Sequence, residues 1–254
     1  MDSLVVLLIL LAVVAGGVLL AVNTARGRRR RELADAEAEA RRWVERLGGQ
    51  VLNLVGRDEP SKQALADAAE RYNAAGSQME QARTAAQYQL ATETALEGLY
   101  YVRAARSAMG MDPGPELPRT ATQQRAGAVT EDRTVDVDGR TLAASRQPSE
   151  RTPHYYPGGV VAGRPVPQGW YSEPWWKPAL VAGAWGVGSF LLFNALFSGM
   201  VGVPSTAAFE QGHAEGHQDA GDGGDTGDGG DTGGDYGGGD FGGGGDFGGS
   251  FGDF

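Results

Sequence analysis

The sequence predicts a mainly α fold, with two transmembrane helices flanking a small three-helix, coiled-coil-like domain, and three observations predict it. Two apolar stretches, Leu4 to Val22 and Ala179 to Val203, contain no charged side chain. Between them, residues 32–109 are rich in Ala, Glu, Gln and Arg, with apolar residues three and four apart, the spacing of one helix face. All 22 Lys and Arg residues lie between Arg26 and Lys177, whereas the chain beyond Val203 carries 11 acidic residues and no basic one. The expected organisation is a first transmembrane helix in residues 1–25, a basic run and three-helix soluble domain in 26–110, and a Pro/Gly-rich, partly disordered linker in 111–169. An aromatic belt with the second transmembrane helix then occupies 170–203, and a disordered acidic, Gly-rich tail occupies 204–254.

Composition narrows the function classes. Of 254 residues, the apolar segments and the Gly-Asp tail leave enough for one modest soluble core. The formal charge of −10 is uneven, because the tail holds most of the excess and the middle is nearly neutral. A nucleic-acid binder should instead show a strongly basic domain or face, so none is expected as partner. With no cysteine, disulfides, thiolate metal sites and a cysteine nucleophile are excluded.

Taken in order, Leu4 to Val22 supplies 19 uncharged residues, 14 of them Leu, Ile or Val. As a helix they span about 29 Å, close to the hydrocarbon thickness of a bilayer. A cleaved signal peptide is the competing reading, but only Met-Asp-Ser precedes the run and no convincing small-x-small site follows it, unlike the usual basic lead and cleavage signal. Arg26, Arg28, Arg29, Arg30 and Arg31 come next, and such a cluster marks the inner face of a membrane. The expected topology is therefore two-pass in the cell membrane, with both termini outside and residues 26–177 cytoplasmic.

Leu33, Ala36, Ala40, Trp43, Leu47, Val51 and Leu54 define the face of a first helix in the middle region. Asp58-Glu59-Pro60 suits the start of a second, whose face is Leu65, Ala68, Tyr72, Ala75, Met79 and Ala82. Thr84 to Gln87 has the form of a capping box opening a third, which carries Tyr88, Ala91, Ala95, Leu99, Val102 and Met109. Gly110 and Asp112-Pro113-Gly114-Pro115 end it. Three such segments with short breaks predict an antiparallel hairpin or bundle with a narrow Ala-rich seam. Trp43, Tyr72, Tyr88, Tyr100 and Tyr101, at helical spacing, read as core and not as a cofactor site.

In the linker, Thr134 to Val137, Asp138-Gly139 and Arg140 to Ala143 form a hairpin candidate, since Asp-Gly suits a two-residue turn between alternating strands. His154 to Pro167 packs on it or forms an ordered loop. His154 itself has no catalytic partner at recognisable spacing. Trp170, Tyr171, Trp175 and Trp176, with Lys177, precede the second apolar run and read as an aromatic belt at the inner interface. Gly186, Gly188 and Asn194 are the candidate helix-packing residues of that span, small residues allowing close approach and the amide finding a partner between helices.

The tail repeats GDGGDT at Gly221 to Thr226 and Gly227 to Thr232. It lacks the large apolar residue that a calcium-binding β-roll repeat uses. His213 and His217, four apart beside Glu210, Glu215 and Asp219, are weak metal candidates, because Gly212 and Gly216 disfavour the helix that would align them. No cofactor is expected.

Four runs carry a family resemblance: ARRWVERLGGQV from Ala40, ALEGLYYVRAARSAMGMDPGPELP from Ala95, HYYPGG from His154, and GRPVPQGWYSEPWWKPALVAGAWGVGS from Gly163. Together they resemble a family of uncharacterised actinobacterial two-span membrane proteins with a domain-of-unknown-function coiled-coil region and a Gly/Asp/Phe-rich tail. The resemblance implies architecture and no activity. The expected function is a non-enzymatic membrane scaffold or interaction protein, with the lipid bilayer and a second copy or another membrane protein as partners. The alternative is an oligomeric transport or channel-accessory subunit packing through the Gly-rich second span.

Overall fold

The computed structural model describes residues 2–137, 139–185 and 187–204, and leaves the side chains of 2–10, 12–15, 18 and 187–190 outside that description. The chain divides into a helical unit, Met1–Arg57 with Ala64–Leu117, and a sheet-containing unit, Asp58–Gln63 with Pro118–Phe254.

The helical unit is built from α1 (Asp2–Asn53), α2 (Glu59–Gln81) from Ala64 onward, and α3 (Ala85–Ala108). The turn before α2 is closed by Asp58, whose Oδ1 accepts from the Ser61 amide at 2.8 Å while the Asp58 amide donates to Ser61 Oγ, a reciprocal cap of the helix start. Hydrogen bonds donated to the Asp58 carboxylate by the Ser61 hydroxyl and then by the Ser61 amide hold that carboxyl below its usual range. At α3, Thr84 Oγ1 accepts from the Gln87 amide and the Gln87 side chain accepts from the Thr84 amide, so two otherwise unpaired donors are satisfied. Gly110, at φ +69°, turns the chain out of α3, a conformation glycine adopts without the Cβ penalty.

The core of this unit is made of small residues. Ala40, Leu47, Ala68, Ala75, Ala91, Ala95 and Leu99 are buried, and Gly98 of α3 sits on Leu47 of α1 and Arg71 of α2. Gln50 of α1 accepts a hydrogen bond from Arg106 of α3 at 3.3 Å, and α1 and α3 pack directly on each other. The coiled-coil reading is corrected here: close approach is set at two glycines, Gly98 against Leu47 and Gly48 against the Tyr72 ring, and not by the sustained heptad seam that makes helices supercoil.

The sheet-containing unit corrects the expectation of a partly disordered linker holding at most one hairpin. After α4 (Ala121–Ala126), the strands β1 (Arg133–Val137), β2 (Arg140–Ser145), β3 (His154–Tyr156), β4 (Gly159–Val161), β5 (Arg164–Val166) and β6 (Gly169–Tyr171) follow. β1, β2, β6 and β3 form one antiparallel sheet in that order, and β4 pairs β5 in a second. β1 and β2 are the hairpin read at 134–143, in the register Val137↔Arg140. The β4–β5 hairpin turns through Ala162 and Gly163, both at positive φ, the backbone that two-residue loops need to match strand twist. His154 lies in β3 opposite Tyr171.

Two helices complete the unit, α5 (Lys177–Ala182) and α6 (Val187–Phe197), and they correct the two-span topology. The second apolar run is not one helix: it breaks at Gly183, whose φ of +66° is left-handed. The longer piece, α6, has 11 residues, about 16 Å against the roughly 30 Å of a bilayer core. Its C-terminal end is pinned to the sheet, Arg133 donating to the Ser198 carbonyl at 2.8 Å and Thr130 Oγ1 to the Val201 carbonyl at 2.9 Å. Among the described residues no helix is long and apolar enough to cross a membrane. Most side chains of the first apolar run lie outside the described ones. The assignment of both termini to the outside and of 26–177 to the cytoplasm falls with that topology.

Candidate functional site

The residues expected to form an aromatic belt form the core of the sheet-containing unit. Trp170 and Tyr171 lie on β6, between β2 and β3, and Trp175 and Trp176 in the turn leading to α5. All four are buried, Tyr171 completely. Tyr171 faces Trp176 edge-on at 5.0 Å between ring centres, Tyr156 meets Trp176 at 4.9 Å, and Trp175 meets Trp185 at 5.5 Å. Phe193 and Phe197 of α6 close the cluster. An interfacial ring must keep one edge in the headgroup layer; these rings spend their surface on each other. Tyr171 donates its hydroxyl to the Pro167 carbonyl at 2.6 Å, and burial first, then Tyr156 and Tyr155 nearby, push its hydroxyl pKa well up. It is a structural phenol and no acid–base group near neutral pH.

Lys177 opens α5 and stands with the Arg140–Glu173 ion pair at the edge of an open groove of about 670 Å³, walled by Trp175, Pro178 and Leu192. Asn194 is exposed on α6. Gly188 falls within α6. Gly186, His213 and His217 lie outside the described residues. Among the described residues, no group of three or more His, Asp or Glu is arranged to hold a metal ion.

Arg26, Arg28, Arg29, Arg30 and Arg31 are all exposed on α1. They belong to a segment with a distinct character: from Leu19 to Glu32 every residue is exposed, and among the described side chains of α1 the first buried one is that of Ala40. Leu11, Leu19 and Leu20 are each about two-thirds exposed.

Two polar clusters in the helical unit escaped the sequence reading. Glu97 of α3 pairs with Arg71 of α2 at 3.2 Å. Burial raises the Glu97 carboxyl pKa above its ordinary 4.5; Arg71 opposes the shift and the nearby buried Asp67 adds to it. The second cluster is a notch of about 280 Å³ containing Arg46, Arg103 and Arg106, with Asp112 its one carboxylate. Arg103 donates to the Gly114 and Pro115 carbonyls, and Arg106 Nε to the Asp112 carbonyl at 2.6 Å. Arg46 lies over the Trp43 ring, 5.3 Å from its centre. The only sequence trace of this notch is Arg103 and Arg106 three apart ahead of the Asp-Pro-Gly-Pro turn; Arg46 comes from another helix, more than fifty residues away.

These groups bind, orient and hold charge. Comparison with protein-family models, with curated proteins and with solved structures finds no match.

Proposed function

We infer that the protein is a non-enzymatic scaffold or interaction protein whose projecting half of α1 docks on a partner protein. The observation that carries this reading is the exposure of α1 ahead of its packed part: Leu11, Leu19, Leu20 and Val22 stand open to solvent and the five arginines follow them. A single helix with no tertiary packing is marginal in water, and exposed clustered leucines mark interaction surfaces. The fitting partner presents an apolar groove with acidic side chains at the end that meets Arg26 to Arg31. Gly16 and Gly17, which have open space around the position of a Cβ, let a partner backbone come close.

The test is photo-crosslinking in cells. A photoreactive residue at Leu20 of the full chain is expected to give discrete protein adducts, a second copy included, that disappear with Leu19→Glu. A photoreactive residue at Leu52, equally exposed at the other end of α1, is expected to give none. Absence of a discrete adduct at Leu20, or an adduct indifferent to Leu19→Glu, would refute the reading.

A further inference from the structure

We propose that the arginine notch of the helical unit is a binding site for a small organic phosphate, with the phosphate on the guanidinium groups and an uncharged body on the apolar floor. Three observations converge on it. The first is charge. Arg46, Arg103 and Arg106 set three positive charges around a cavity of about 280 Å³ whose lining has one carboxylate, Asp112. The Asp112 Oδ1 is engaged locally, accepting from the Gly114 amide at 3.0 Å. None of the three arginines is ion-paired to a carboxylate among the described residues. The surplus of two positive charges equals the charge of a phosphate monoester near neutral pH, whose second ionisation lies near 6.

The second observation is preorganisation. Arg103 is held through Nη1 by the Gly114 and Pro115 carbonyls, and Arg106 through Nε by the Asp112 carbonyl and through Nη1 by Gln50. Each keeps its Nη2 donors for a ligand. Such a guanidinium has already lost its rotamer freedom, so binding an anion costs less ordering, and its planar fork matches phosphate oxygens two at a time. Among the described residues no hydrogen bond is made by the Arg46 side chain, which rests on Trp43 and can close over the anion. The third observation is the floor: Leu99, Val102 and Leu117 line the cavity and are at most 9% exposed, which suits an organic body more than a bare inorganic ion. If the arginines served only to staple residues 112–117 to α3, two would suffice; Arg46 contributes nothing to that task.

Calorimetric titration of the full chain with phenyl phosphate tests the proposal, with benzyl alcohol and inorganic phosphate as companions. Saturable binding of phenyl phosphate is expected, with weaker binding of inorganic phosphate and none of benzyl alcohol. Arg46→Gln leaves every hydrogen bond of the notch in place and should weaken binding about tenfold, the loss of one charge-assisted contact. Arg41→Gln, outside the notch in a surface pair with Glu37, should leave affinity unchanged. Absence of saturable binding, or equal affinity in Arg46→Gln and the parent chain, would overturn the assignment.

Discussion

Gly98 of α3 lies directly against Leu47 of α1: a Cβ added at Gly98 would stand 2.4 Å from Leu47 Cδ2 and 3.1 Å from Arg71 Cβ. Three helices therefore meet at one missing side chain, and that absence sets how closely they approach.

Gly98→Ala is accordingly expected to destabilise the helical unit despite alanine's better helix propensity, which favours it by up to about 1 kcal/mol. Overpacking at a buried contact costs roughly 1–3 kcal/mol, so the net effect should be a loss. Gly76→Ala on α2, where a Cβ meets nothing within 4 Å, isolates the propensity term and should be neutral or stabilising. Urea denaturation of the two variants side by side decides it, and equal stabilisation of both would contradict the packing.

Gly183 offers a similar contrast at the break between α5 and α6. Its left-handed backbone costs a residue with a Cβ about 1–2 kcal/mol, so Gly183→Ala should lower the melting temperature of the sheet-containing unit. Were residues 179–203 one continuous helix, the same change would raise it. Thermal unfolding followed by near-ultraviolet circular dichroism, which reports the tryptophan cluster, distinguishes the two signs.

The Glu97 carboxyl makes a prediction about pH. Its folded-state pKa is raised, chiefly by burial, with Arg71 opposing and Asp67 adding, so in the window above 4.5 the folded state holds more protons than the unfolded state. The stabilisation this confers is complete below the unfolded value and is lost as pH rises through the folded one. Asp58, held low by Ser61, works in the opposite sense, contributing stability above its unfolded value of about 3.8 and losing it as pH falls. Glu97→Gln should therefore remove a downward slope of stability with pH above 4.5 while leaving the acid-side loss intact. Denaturation midpoints of both proteins measured from pH 3 to pH 7 check this; a parallel pH dependence in the two would exclude it.

Local signals in the chain account for a good part of the fold. Thr84 and Gln87 spell their capping box in four letters and form it; Asp58 starts α2 and Gly110 turns the chain out of α3; the strand alternation around Asp138-Gly139 yields β1 and β2. Each of these rests on interactions between residues a few positions apart, which a sequence displays. The candidate site was not legible in the same way. Arg46 reaches Arg103 and Arg106 only because α1 and α3 run side by side, and the direction of that pairing is written in no local motif. The raised carboxyl of Glu97 likewise comes chiefly from burial between packed helices, with Asp67 of another helix adding to it and Arg71 opposing.

The largest difference between expectation and structure lies at Trp170 to Val203. Composition alone established that this segment is apolar and rich in tryptophan, that the arginines cluster after Val22, and that the basic residues end at Lys177. Apolarity says that a segment leaves water; it does not say whether lipid or protein receives it. Tertiary structure decided that: β2 and β3 flank β6, Trp185 donates to the Val161 carbonyl at 2.7 Å, and Phe193 and Phe197 fold back onto Trp175. The transfer free energy of an indole ring is similar for either destination, and the short strands that make the protein destination available are recognisable only once they have paired.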